Sequence, residues 1–188
     1  MSLPLIVLRP EPGAGATVAL ARALGLDARA FPLFAVRPLA WEPVPRENVD
    51  AVLIGSANAL RHGGAALALY RGLPAYTVGE KTAQAAREAG FDVIATGRGG
   101  LQQVLAALEP AHRRLLRLAG RERVALELPA GATMTPRELY ASEPLPLPAP
   151  LAGLLAAPAV VLLHSGEAAA HFAALADAAE IDRTRLRL

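Results

Sequence analysis

Tyr76-Thr77-Val78-Gly79-Glu80-Lys81-Thr82-Ala83-Gln84-Ala85-Ala86-Arg87-Glu88-Ala89-Gly90-Phe91 changes its hydrophobic period partway along. Its β-branched and aromatic start closes a strand predicted over residues 75–78, and Gly79 punctuates it. The alanines that follow recur at helical spacing and predict a helix over 83–89, which Gly90 ends in a left-handed turn. Strand, tight turn and helix in succession form half of a βαβ unit, and that unit implies a parallel sheet.

The same alternation extends in both directions. Upstream, residues 51–54 form an apolar strand before Gly55 and Ser56. Downstream come strands at 93–95, 114–118, 124–126 and near 137–141, with a helix over 101–108 followed by Pro110. At the start of the chain, a strand over 3–8 is stopped by Arg9-Pro10. A helix over 17–24, closed by Gly25, and a strand over 28–36 follow. Near the end, a strand over 159–163 precedes an alanine-rich helix over 167–179, and 185–188 reads as the beginning of another strand.

Two segments break this rhythm. Residues 36–49 carry Pro38, Pro43 and Pro45, and 144–150 is rich in proline. Each reads as a crossing between domains. Neither end of the chain alone has enough strands for a stable sheet, so the ends are expected to combine. This gives a first, discontinuous α/β domain of residues 1–37 with 150–188, and a second of 38–149. An internal echo agrees, since Val52-Leu53-Ile54-Gly55-Ser56 resembles Val161-Leu162-Leu163-His164-Ser165, and Ser165 lies 109 residues after Ser56.

Composition narrows the function. Hydrophobic residues make up 53% of the chain and aromatic ones only 4%, which favours aliphatic packing between helices and strands. The formal charge is +2 and the charges are dispersed, so nucleic acid is not an expected partner. A small anionic ligand is compatible with that balance. There is no cysteine, hence no disulfide framework, thiolate metal site or cysteine nucleophile. The opening apolar run is too short for an export signal, and a cofactor-free cytoplasmic protein fits best. No formal charge occurs between Glu143 and Glu167, but Pro146, Pro148, Pro150 and Pro158 argue for a linker, short helix and strand over a membrane span.

Arg9, Ser56, Thr82, Gly120 and Ser165 all fall just after predicted strands, at the edge of a parallel sheet where ligands bind. Helix N-termini there present unpaired N–H groups, so hydroxyl residues suit both capping and carboxylate binding. Thr82 is expected as an exposed hydroxyl. Gly13-Ala14-Gly15 lacks the lysine of a phosphate-binding loop and the third glycine of a dinucleotide site, and reads as a turn before a helix. Ser165 beside His164 lacks a glycine-flanked nucleophile elbow. The four histidines have no metal-ligand spacing, so no metal is expected.

The segment from Tyr76 to Phe91 resembles the uroporphyrinogen-III synthase family in its Val-Gly-x-x-Thr-Ala turn and Ala-Gly-Phe ending. Arg9-Pro10, Ala23-Leu24-Gly25 with Phe31-Pro32-Leu33, and Ala51 to Ala59 are similar to earlier family landmarks. Leu116-Arg117-Leu118-Ala119-Gly120 and Glu138-Leu139-Tyr140 match later ones. The resemblance implies two Rossmann-like domains, each a doubly wound parallel sheet, joined by two linkers with substrate in the cleft between them. It implies a cofactor-free cyclising lyase that closes hydroxymethylbilane into uroporphyrinogen III, inverting ring D with loss of water.

In that chemistry the linear tetrapyrrole must be held in the conformer that closes with inversion, which calls for donors and cations that grip carboxylates. Arg9, Ser56, Thr82 and Ser165 are the expected substrate contacts. Tyr140, matched to the family's tyrosine, is the expected catalytic group assisting departure of the hydroxyl; a packed strand tyrosine is the competing reading. A monomer is the default assembly. A non-catalytic two-domain protein binding a small anion is the alternative function. The resemblance also implies a further C-terminal strand, Gly-x-x-Thr turn and helix, so the chain is expected to be incomplete there, with weak or no activity.

Overall fold

A computed structural model describes residues 3–187. They form a mixed α/β fold with parallel sheets, divided into two compact units: residues up to 36 with those from 143 on, and residues 37–142.

The first unit contains β1 (Leu5–Val7), α1 (Gly13–Ala23) and β2 (Ala28–Ala30). β3 (Phe34–Pro38) then leads into the second unit. In the second unit lie β4 (Ala51–Ile54), α2 (Ala57–His62), β5 (Pro74–Val78), α3 (Glu80–Glu88), β6 (Asp92–Gly97), α4 (Leu101–Val104) and β7 (Arg114–Gly120). β8 (Thr133–Pro144) leads out of it, and α5 (Ala149–Leu155), β9 (Ala159–Leu162), α6 (Gly166–Ala178) and β10 (Leu186–Arg187) complete the first unit.

The first unit has a four-stranded sheet in the order β10-β9-β1-β2, with parallel pairing throughout. Alternation along β1 sends Ile6 and Leu8 to one face, against Leu151, Leu155 and Phe172 of α5 and α6. Val7 goes to the other face, against Ala14, Val18 and Ala21 of α1. With both faces covered, the strands can be apolar nearly throughout, as parallel strands usually are.

The second unit has a six-stranded sheet in the order β3-β8-β7-β4-β5-β6, and its strands from β8 to β6 are parallel. β4 is buried at all four positions. Val52 and Ile54 join Leu116, Leu118 and Leu139 under α2 and α3, while Ala51 and Leu53 join Tyr76 and Leu115 under α4. At the amino ends of β4 and β7, the Asp50 carboxylate accepts from the Arg113 and Arg114 N–H groups and from the Arg114 guanidinium, the last at 2.6 Å. The Arg114 guanidinium holds that carboxyl down at about 2, against the opposing effect of its partial burial.

Several sequence expectations are corrected. The single strand over 28–36 is two strands, because Phe31-Pro32-Leu33 interrupts it. Gly13 and Gly15 lie inside α1 rather than in a turn, since Glu11 accepts from the Gly15 N–H at 2.9 Å and helps start the helix. The helix over 101–108 is α4 followed by a 3-10 turn. The strand over 124–126 does not form, and residues 121–132 are irregular. The strand near 137–141 grows to the twelve residues of β8. The proline-rich stretch after β3 is irregular yet anchored: Trp41 donates to the Gly63 carbonyl, and the Tyr70 hydroxyl bonds both polar backbone groups of Val44. Leu188, the end of the strand expected over 185–188, lies outside the described residues.

No helix among the described residues is long and apolar enough to cross a membrane; the uncharged stretch after Glu143 holds only the seven-residue α5 and β9.

Candidate functional site

In the second unit the carboxyl ends of β8, β7, β4 and β5 succeed one another along one sheet edge. Gly120 ends β7, Ser56 and Thr82 follow β4 and β5, and Tyr140 lies beside Gly120 within β8, so the structure collects three of the expected site residues along one edge. Arg9 and Ser165 follow the neighbouring strands β1 and β9 of the first unit's sheet, and share its carboxyl edge.

Each position has a local cause. Gly79, at φ 76°, turns the chain from β5 into α3, a conformation most side chains would strain. The first turn of α3 then places Thr82 at the edge, its N–H bonded to the Gly79 carbonyl at 3.0 Å. Thr82 is only 6% exposed, which corrects the expectation of an exposed hydroxyl: α3 packs its Ala83 and Ala86 side inward and carries Thr82 with it. Ser56 and Ser165 are both N-caps. Ser56 Oγ accepts from the Asn58 N–H at 3.2 Å and Ser165 Oγ from the Ala168 N–H at 3.1 Å. Capping therefore occupies one acceptor lobe of each hydroxyl and leaves its proton for another partner.

Tyr140 owes its place to an irregularity in β8. The β7–β8 register shifts between Ala119 and Gly120, so that Ala119 faces Glu138 while Gly120 faces Tyr140. That shift puts Tyr140 on the opposite face from Glu138. The ring lies over Gly120, where any added Cβ would come within 2.8 Å of it, so Gly120 is held to glycine by close approach. His62, at the end of α2, stands with its ring centroid 6.2 Å from that of Tyr140. No local pattern marks His62 as a neighbour of Tyr140, since 78 residues separate the two.

Arg9 is half-buried and its guanidinium lies over Gly13, where a Cβ would stand 2.5 Å from Nε. Among the other histidines, His112 bonds the Tyr76 hydroxyl at 2.8 Å and His171 bonds the Leu145 carbonyl at 2.9 Å beneath Phe34, both packing roles. Among the described residues no group of three or more His, Asp or Glu is placed to hold a metal ion. The edge thus offers hydroxyls, a helix N-terminus and a phenol, a set able to bind carboxylates and pass a proton.

Among solved structures, the chain is similar to a uroporphyrinogen-III synthetase of Helicobacter pylori, at a TM-score of 0.62 and 16% identity, covering 93% of this chain and 78% of that one. It is also similar to a mutant uroporphyrinogen III synthase of Thermus thermophilus, at a TM-score of 0.53 and 21% identity, covering 94% and 77%. At such identities the likeness speaks for the fold. No curated protein matches significantly in sequence. The family model described as uroporphyrinogen-III synthase HemD matches residues 15–187. Since that match takes in nearly the whole of both units, the chain belongs to the uroporphyrinogen-III synthase family.

Proposed function

We propose that this chain is a uroporphyrinogen-III synthase, a cyclising lyase that closes hydroxymethylbilane with inversion of ring D and loss of water. The observation that carries the reading is the family match over residues 15–187. The sheet edge bearing Ser56, Thr82 and Tyr140 supports it, because a flexible polyanion needs distributed donors more than one strong catalyst. Substrate carboxylates bind at the N-terminus of α3 beside Thr82 and at the Ser56 cap. Arg9 and Ser165 serve the same purpose on the first unit.

Tyr140 assists departure of the hydroxyl. Its packing over Gly120 limits its rotation, so the phenol meets the leaving group without first losing conformational freedom. The two units, residues up to 36 with those from 143 on and residues 37–142, act as two Rossmann-like domains of a monomeric, cofactor-free cytoplasmic enzyme. The test is turnover: given hydroxymethylbilane, the protein should accumulate isomer III, and accumulation of isomer I alone at the uncatalysed rate would refute the reading. Tyr140→Phe should lower turnover about tenfold or more and leave the Michaelis constant nearly unchanged; a change confined to binding would assign the phenol to substrate contact instead.

A further inference from the structure

The connection from β7 to β8 differs from the other parallel crossovers of this sheet. Those from β4 to β5, β5 to β6 and β6 to β7 each carry an α-helix, whereas residues 121–132 run as an irregular segment. Pro129 and Gly131 oppose a helix there, and Val124 and Ala125 are exposed. The segment covers the sheet only partly, with Leu126 and Leu128 packed toward Leu115 and Met134. Beside them an open cavity of about 490 Å³ remains, lined by Arg117, Arg121, Arg123, Glu138, Leu126 and Met134, among others.

Three arginines and one glutamate are its charged lining, an excess of two positive charges. Glu138 engages Arg123 at 2.6 Å and Arg121 at 3.7 Å. Arg117 is different: it rises from the middle of β7, is only 6% exposed, and has no carboxylate partner among the described residues. Its Nη1 donates to the Val124 carbonyl at 2.8 Å, and its Nε has no acceptor. Burial, and then the nearby Arg123, push its proton affinity below the ordinary arginine value. An uncompensated guanidinium in an apolar setting is costly, and an anion that reaches it recovers much of that cost.

We propose that this cavity is a binding site for a small organic acid, whose carboxylates pair with Arg117, Arg121 and Arg123 while its apolar body rests on Leu126 and Met134. The excess of two charges favours a dicarboxylate, and guanidinium forks match carboxylates in pairs. The cavity lies on the opposite face of the sheet from the Tyr140 ring, because the register shift in β8 puts Glu138 and Tyr140 on opposite faces.

Benzene-1,2-dicarboxylate is the probe, read by calorimetry and by the side-chain N–H resonances of the arginines in the full chain. The expected result is saturable binding with a shift at the Arg117 Nε–H. Arg117→Met and, separately, Arg123→Gln should each weaken it about tenfold or more. Inorganic phosphate, which lacks an apolar body, should bind at least about tenfold more weakly. Arg123 is a surface side chain, so Arg123→Gln tests the site even if Arg117→Met disturbs the sheet. No saturable binding, binding unchanged in the Arg123→Gln variant, or phosphate binding as tightly as the dicarboxylate would overturn the proposal.

Discussion

Two crossovers of nearly equal length do the same topological task in the second unit by different means. Residues 79–91 carry the chain from β5 to the adjacent parallel β6 through α3; residues 121–132 carry it from β7 to the adjacent parallel β8 with no regular structure. The helical crossover satisfies its own backbone and seals one sheet face with Ala83 and Ala86. The irregular one leaves a guanidinium and a cavity between itself and the sheet. A helix thus closes a face, and an extended connection leaves room for chemistry on it.

The comparison breaks most easily at Ala86, which α3 buries fully against the sheet, whereas Ala125 is exposed in the irregular segment. Ala86→Asp places an unpaired charge in the core and should cost about 4 kcal/mol in urea unfolding, while Ala125→Asp should stay within about 0.5 kcal/mol. Equal costs would mean that the irregular segment packs as firmly as the helix.

Asp50 tests what holds β7 apart from its crossover, since it clamps that strand's other end. Asp50→Asn should cost about 2 kcal/mol near neutral pH, the usual range for hydrogen bonds to a charged group. Because the folded carboxyl titrates at about 2, below the ordinary 3.8, its stabilisation is complete above 3.8 and lost as the pH falls toward 2. Unfolding curves of the two proteins should therefore converge over that window. A difference that persists below pH 2 would show that the clamp is not electrostatic.

The helical crossover also carries a proposed substrate contact, and its burial dictates the variant. Thr82→Val keeps the branched shape in a site only 6% exposed and removes the hydroxyl alone. Turnover should fall about tenfold, or about 1.4 kcal/mol, with unfolding almost unchanged. Normal turnover would remove Thr82 from the reaction. The smallest effect is expected on the irregular side, with opposite sign: Arg117→Met should raise stability by about 1 kcal/mol, because an apolar side chain replaces a buried cation that has no carboxylate partner among the described residues. A loss instead would mean that the Val124 hydrogen bond holds the segment down.

Residues 75–90 show how far local reading reaches. The period change at Gly79 and the closing Gly90 located β5, the turn and α3 to within a few residues, because an isolated strand–turn–helix is written in neighbours. Local periodicity also predicts a strand over 124–126, where the folded chain is irregular. Val124-Ala125-Leu126 has apolar residues, but β7, the strand it follows, is already paired on both sides, by β8 and β4.

Strand and helix types, the alternation that requires parallel pairing, the serine caps and the family are all legible in the residues as they follow one another. These follow from side-chain periodicity, backbone preference and motifs carried by contiguous residues. That Tyr140 shares its surroundings with Gly120 and His62, that Thr82 is buried, and that Arg117 stands beside a cavity with no carboxylate partner among the described residues emerge only from the folded chain. Each of these depends on which strands become neighbours, where one register shifts and which crossover lacks a helix. They arise between residues far apart in the chain, where no local pattern records them.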